Sequence, residues 1–407
     1  MKIVVISSWF SEKMGYSENL FPKALAKIGH EVHVIASTAQ VYYDSPMYEK
    51  TYREHLGPAI VEPGISQIDG FTLHRLEFSE IKTSSLHPWK FRGIRIRNLQ
   101  DYLHRLQPDV IQVVNLIDEP TTYDAAVYAK NSGKQIFTES HLHSSVFRKD
   151  NERNWKEKAR STLYLFHRQL KLVNGRTAFC YPIAPDAAEI VESLYHVPKA
   201  KIKIQPLGVD CELFCHASTP ELVREREVLR QSLGVKSDDL LCIYTGRFSH
   251  GKNPQLLAQA VHRLQQSGEK IKALFLGNGS EAETYEIKSK QGCIVHPFVD
   301  LKRLPAYYRA ADIGVWPREE STSQLDAAAC GLPLILSNAI RVTERVDGNG
   351  LLYEEGNVDD LARKILQLKD DSLRKAFSGI GIRNISRRFS WLTIASERIK
   401  DYELTLL

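Results

Sequence analysis

Residues 316–338 read WPREESTSQLDAAACGLPLILSN, and this stretch decides the fold class. The apolar run 311–316, ADIGVW, predicts a strand that stops at Pro317. A polar loop, Arg318 to Ser323, follows. Gln324–Cys330 then predicts a helix, because Leu and Ala are strong helix formers and Ser323 suits its N-cap. Gly331 is placed to end that helix, Pro333 cannot continue it, and Leu334–Leu336 predicts the next strand. Strand, loop, helix and strand make an α/β unit. In open α/β sheets, ligands sit beyond the carboxyl ends of the strands, where helix N-termini attract phosphate. Glu319, Glu320 and Asp326 would flank such a phosphate, and carboxylates there accept hydrogen bonds from sugar hydroxyls. The pattern points to a nucleotide sugar. An ordinary βαβ turn with solvated acids fits the same letters.

Working outward, 407 residues exceed one core of usual size, so two domains are expected. The 43% apolar and 25% charged content is that of an ordinary globular chain. A net charge of +5 is too diffuse to imply nucleic acid. The six cysteines lack zinc-site spacing and are read as reduced thiols. MKIVVISSWF enters a strand directly and lacks the features of a signal peptide, and no apolar run approaches a membrane span.

The N-terminal part reads as strand Lys2–Ser7, a loop through Gly15, helix Glu18–Ile28 and strand Glu31–Ala36. Asp69-Gly70 marks a hairpin. Lys90–Arg97 interleaves basic and apolar residues and runs helix-like to Leu106. It suits either an anionic membrane surface or lipid phosphate, or simply an exposed amphipathic helix. Strand Gln135–Thr138 runs into Glu139-Ser140-His141-Leu142-His143, where a carboxylate and two histidines meet at a strand's carboxyl end. Metal binding there lacks a third ligand. A long helix over Glu152–Leu172 and a strand over Lys201–Gln205 are also predicted. The α/β pattern restarts at Leu240–Thr245, followed by Gly246-Arg247 and by Lys252-Asn253-Pro254 at the start of helix Gln255–Gln266. Arg247 and Lys252 at such a turn suit a diphosphate, the Arg bidentately and the Lys as a point charge. Phe389–Leu404 predicts a final helix.

In order along nearly the whole chain, these motifs resemble the retaining glycosyltransferases of glycosyltransferase family 4. The resemblance rests on the start of the chain with Gly15, Gly29-His30-Glu31-Val32, Pro108–Ile111, and Gly208-Val209-Asp210 with Phe214. It continues through Gly246-Arg247 with Lys252, Leu276–Gly279, Leu304–Tyr308 with Ala311-Asp312, Leu325–Pro333, and Asn349–Leu352. Leu207 stands where the family has Asn.

The resemblance implies the GT-B fold, two facing Rossmann-like domains with a deep interdomain cleft. Residues 1–210 would be the acceptor domain, 211–388 the nucleotide-sugar domain, and the C-terminal helix 389–407 would pack back on the first. Arg247 and Lys252 would neutralise the leaving diphosphate and Asp326 would bind ribose hydroxyls. Backbone amides of Ser321, Thr322, Ser323 and Gln324 would meet phosphate or sugar. Gly15 and Gly246 would let backbone approach the donor, His141 would touch the donor sugar, and Phe298 would wall the base. No metal is expected, because cations of the chain carry the leaving-group charge.

The resemblance also implies transfer from a UDP- or GDP-sugar to a glycan or lipid-linked acceptor in polysaccharide biosynthesis. The location would be cytoplasmic, with or without peripheral contact at the inner membrane face. The family's Glu-x7-Glu motif is broken, since its first position, eight residues before Asp326, holds Arg318. Glu319 or Glu320 would supply the missing carboxylate, Glu320 being preferred. An epimerase or phosphorylase of the same fold, or a nucleotide-sugar-binding protein without catalysis, are the alternatives. The sugar, base, acceptor and oligomeric state are not encoded in any motif.

Overall fold

The computed structural model describes residues 1–82, 92–114, 119–142, 168–318 and 320–406. The chain divides into two compact units, Met1–Leu207 with Ile394–Leu407, and Gly208–Thr393.

In the first unit the strands are β1 (Lys2–Ser7), β2 (Glu31–Ser37), β3 (Gly64–Ile68), β4 (Phe71–Leu76), β5 (Phe78–Lys82), β6 (Arg92–Ile96), β7 (Val110–Val113), β8 (Ile136–Ser140) and β9 (Thr177–Pro182). Among the described residues, seven of them form one sheet in the order β3-β4-β2-β1-β7-β8-β9. All neighbours are parallel except β3 and β4, joined antiparallel through Asp69-Gly70. Both turn residues have positive φ, 46° and 90°, the geometry whose twist matches a hairpin. Ile3, Val4, Val5 and Ile6 of β1 are fully buried, as expected of a parallel strand covered on both faces. Helix α1 (Ser17–Lys27) buries Phe21, Ala24 and Leu25, and Gly29 follows it at φ 93°.

The stretch read as helix-like from Lys90 is different where it is described. Arg92–Ile96 is β6, paired antiparallel with β5, and helix α2 (Leu99–Leu106) begins only after Asn98. Ile94 and Ile96 are buried, so the alternation of basic and apolar residues had the period of a strand, not of a helix. The predicted strand Lys201–Gln205 is a 3-10 turn (Lys199–Lys201) followed by extended chain. The amides of Lys203 and Gln205 bond to Cys180 and Pro182 of β9 without a continuous ladder. Of the helix predicted over Glu152–Leu172, residues 152–167 lie outside the described residues, and Arg168–Leu172 belong to α4 (Arg168–Arg176) after α3 (Pro120–Asn131). Helix α5 (Pro185–Ser193) follows β9.

The second unit starts with α6 (Pro220–Ser232) and continues through β10 (Leu240–Thr245), α7 (Pro254–Gln266), β11 (Ile271–Leu276), α8 (Glu281–Lys288), β12 (Cys293–His296), α9 (Leu304–Ala310), β13 (Ile313–Trp316), α10 (Ser323–Ala329), β14 (Leu334–Ser337), β15 (Gly350–Tyr353), α11 (Val358–Gln367) and α12 (Asp371–Asn384). Helix α13 (Trp391–Leu406) follows a π turn, Ile385–Phe389. The described strands form a parallel sheet in the order β12-β11-β10-β13-β14-β15. Strand order reverses at β10/β13, as it does at β1/β7 in the first unit, and such a reversal opens a crevice at the strands' carboxyl ends.

Helices α8 and α12 are absent from the sequence reading, although both carry start signals. Ser280 and Glu283 form a capping box, and Asp370 accepts the amides of Ser372 and Leu373. Asp312, just before β13, binds Arg226 at 2.5 Å, Arg230 at 3.0 Å and the Leu241 amide at 2.8 Å, which pins α6 to the sheet.

Candidate functional sites

The second unit gathers the cations predicted from sequence at its strand reversal. β10 is followed by Gly246, whose carbonyl would lie 1.9 Å from a Cβ placed on Gly277 after β11. Gly277 has φ 147°, so only glycine permits this approach of the two strand ends. Arg247 follows and is exposed, its carbonyl held by the Tyr244 hydroxyl at 2.7 Å. Its side chain makes no ion pair among the described residues. Lys252 lies in the turn before α7, and its Nζ donates to the Glu320 carbonyl at 2.9 Å. That bond ties the loop after β10 to the loop after β13.

The loop after β13 is held from several sides. Glu320 Oε1 accepts the Arg341 amide at 2.8 Å. Arg345 donates to the Ser321 carbonyl at 2.7 Å and to Gln324 Oε1 at 2.9 Å. The N-cap of α10 is Thr322 and not Ser323, and no side chain caps it. The Ser323 and Gln324 amides are taken by Ser321 Oγ and Ser321 O, and the hydrogen-bonded turn they close displaces the cap by one residue. Glu319 lies outside the described residues. Arg318 pairs with Glu355 at 3.3 Å, and Glu355 also accepts the Ser337 hydroxyl at 2.7 Å.

Asp326 projects from α10 and is half-buried. Burial raises its carboxyl to about 8 against the pull of Arg345, with Asp210 raising it further. Phe298, 55% exposed, follows β12 by two residues.

The first unit holds a second charged cluster at the carboxyl ends of β1 and β8. Gly15, φ 63°, sits in the loop between β1 and α1. His141 follows β8, and its Nε2 meets Glu139 Oε2 at 2.8 Å. Glu139 is 2% exposed and its other oxygen takes Arg398 of α13. Burial alone would raise Glu139, but Arg398 and His141 pull it down to about 2. Arg398 lies 4.4 Å from the centroids of both the Phe21 and Tyr181 rings, and donates also to Gln205. Gln112 of β7 donates weakly to Glu139 and accepts the Tyr402 hydroxyl at 2.8 Å. Glu139 and Arg398 thus fix which ring nitrogen His141 turns inward. His143 lies outside the described residues.

Sequence reasoning missed Arg345, Arg398 and Glu18. Glu18 had a usable signal, an acid in the first turn of the helix after β1. Arg398 had none, since 259 residues separate it from Glu139. Among the described residues no group of three or more His, Cys, Asp or Glu is placed to hold a metal, and no helix is long and apolar enough to cross a membrane.

The family model described as Glycosyltransferase Family 4 matches residues 23–213, and that described as Glycosyl transferases group 1 matches residues 239–371. The chain is 30% identical over 231 residues to a D-inositol 3-phosphate glycosyltransferase of Xylanimonas cellulosilytica, covering 53% of this chain and 54% of that protein. It is 27% identical over 248 residues to a protein of the same name from Arthrobacter sp., covering 58% and 57%. The chain thus spans little more than half the length of these curated relatives. Among solved structures, a glycosyltransferase from Rickettsia africae aligns with a TM-score of 0.69 at 15% identity, covering 100% of this chain and 98% of that one. Anabaena HepE in complex with UDP aligns with a TM-score of 0.65 at 16% identity, covering 99% and 100%. At such identities these two show the fold alone. The chain belongs to glycosyltransferase family 4 and has the GT-B fold.

Proposed function

We propose that the protein is a retaining glycosyltransferase that moves a sugar from a UDP- or GDP-sugar to a glycan or lipid-linked acceptor. The observation that carries this reading is the junction of Arg247, Lys252 and the Glu320–Gln324 loop at the β10/β13 reversal. Arg247 and Lys252 neutralise the diphosphate as the bond to the sugar breaks, which serves the role a metal ion would otherwise take. Asp326 accepts ribose hydroxyls, Phe298 flanks the base, and Glu320, whose carboxylate is oriented by the Arg341 amide, faces the sugar hydroxyls. Main-chain groups at Gly246 and Ser321–Ser323 line the same turn.

Retention follows from attack on the face the diphosphate leaves, with a leaving phosphate oxygen taking the acceptor's proton. His141, oriented by Glu139, touches the reacting sugar, and Gly15 leaves room for backbone approach. HepE's complex with UDP makes UDP and UDP-glucose the first probes, and the inositol phosphate enzymes make D-inositol 3-phosphate the first acceptor. Action at the inner membrane face is part of the proposal for lipid-linked acceptors only.

The test is a thermal-shift screen of nucleoside diphosphates and their sugars with chelator present, followed by product analysis. One donor should raise Tm and be turned over with retained anomeric configuration. An inverted product, or turnover that requires added metal, overturns the corresponding part of the reading. A second reading, binding without catalysis, is favoured by Arg318, which stands at the first position of the acidic motif and is engaged by Glu355. A donor-specific Tm shift without turnover would select it.

A further inference from the structure

We propose that Glu18 is an acceptor-binding residue, its free carboxyl oxygen taking a hydrogen bond from a hydroxyl of the acceptor sugar or cyclitol beside His141. This rests on the transferase reading above. Glu18 lies in the first turn of α1, directly after the loop that carries Gly15, and is only 5% exposed. Its Oε2 receives the Ser17 hydroxyl at 3.4 Å. Its Oε1 is buried and has no hydrogen-bond partner. A buried carboxyl oxygen left without a donor is costly, and such groups are kept where a ligand completes them.

Among the described residues, the charges next to Glu18 already have structural tasks. Arg398 is committed to Glu139 and Gln205, and Glu139 is committed to Arg398 and His141. Glu18 is close enough to feel the charges of both His141 and Glu139 but shares in neither bond. Among the described residues none donates to Glu18 Oε1, which leaves it open to an O–H or N–H donor of a ligand. A diphosphate is a poor candidate, because Glu18 would meet it with a carboxyl and the buried charge of Glu139 lies close behind. A polyhydroxy acceptor fits. Burial raises the Glu18 carboxyl to about 7, against its own backbone amide and His141 and with Glu139 adding to the rise. It therefore changes charge near neutrality, when the charged form becomes the better acceptor.

The experiment uses the full chain and the donor found by the nucleotide-sugar screen. Donor Kd is measured by calorimetry. Transfer is measured to D-inositol 3-phosphate and to a panel of methyl glycosides, for wild type, Glu18→Gln and Glu18→Ala, from pH 5.5 to 8.5. The expected result is an acceptor KM raised at least tenfold in both variants with donor Kd within twofold of wild type. The rise of kcat/KM for acceptor near pH 7 should also disappear in Glu18→Gln. A purely structural role would not move that pH profile while leaving donor affinity intact. Unchanged acceptor KM and pH profile in Glu18→Gln overturn the assignment of Glu18 alone. A donor Kd that weakens in step with acceptor KM also overturns it. Absence of donor binding by wild type instead overturns the transferase reading, and this inference falls with it.

Discussion

The two charged clusters differ in how complete they are. In the first unit, Glu139, Arg398, Gln112, Gln205 and Tyr402 satisfy one another in a dry interior. In the second, Arg247 is exposed, and Asp326 holds its proton because burial outweighs the pull of Arg345. The first arrangement spends the charges of Glu139 and Arg398 on each other, and Glu18 keeps one buried oxygen without a hydrogen-bond partner. The second leaves Arg247 exposed and uses side-chain cations on carbonyl oxygens, Lys252 on Glu320 and Arg345 on Ser321, to hold its loops. Burial alone does not separate them. What separates them is the partner of the central carboxyl: Glu139 is paired with the buried Arg398, whereas at Asp326 burial outweighs the pull of Arg345.

The sharpest way to break this contrast is Glu139→Ala. It strands Arg398 without its carboxylate and should cost about 3–5 kcal/mol of stability, read from denaturant midpoints. A loss below about 1 kcal/mol would place the first cluster among ordinary surface pairs. Arg247→Ala should do the reverse, leaving stability within about 0.5 kcal/mol while donor turnover falls roughly 100-fold to 1000-fold. Equal effects on both readouts would dissolve the distinction.

Glu18 tests the first cluster through pH. Its carboxyl sits near 7 in the fold against an ordinary 4.5, so the folded chain keeps a proton that the unfolded chain releases. The corresponding stability is complete below 4.5 and is lost as pH rises through 7, a change of about 3 kcal/mol. Glu18→Gln should flatten that fall in chemical denaturation run at pH 5 and pH 8. Glu139 has the opposite sign, its contribution being present above 4.5 and lost as pH falls toward 2.

Smaller again is Asp326. In the proposed site a ribose hydroxyl would favour its charged form, so donor affinity in wild type should climb as pH rises through 8. Asp326→Asn should lose that climb and bind about tenfold more weakly at pH 9 by calorimetry. Smallest is Arg318→Ala, which breaks a partly exposed pair with Glu355 and should shift stability by less than about 1 kcal/mol.

Much of the fold was legible because its signals are local. Buried runs such as β1 and β10, glycine stops such as Gly29 and Gly331, and the Asp69-Gly70 turn each carry their instruction within a few residues. β6 was misread because its alternating basic and apolar residues sit next to a true helix, and the boundary at Asn98 carries φ 54° that sequence does not announce. The donor-side residues were recognisable as motif letters, yet their couplings were not. That Lys252 holds the Glu320 carbonyl, and that Arg345 holds Ser321 and Gln324, are facts of loop geometry. Arg398 was invisible because its partner lies at the far end of the chain, and pairing across such a separation leaves no periodic trace.

That separation has a consequence for how the protein is made. Glu139 is synthesised early, and Arg398 and Tyr402, which complete its surroundings, emerge only after every strand of the second unit. Until then a nascent first unit carries a carboxylate meant for a dry interior and the empty berth of a helix. The second unit, Gly208–Thr393, can finish its core first although it is translated later. Completion of the first unit's interior therefore waits for the last helix of the chain. A chain cut short before Ile394 would have a finished second half and an unfinished first one.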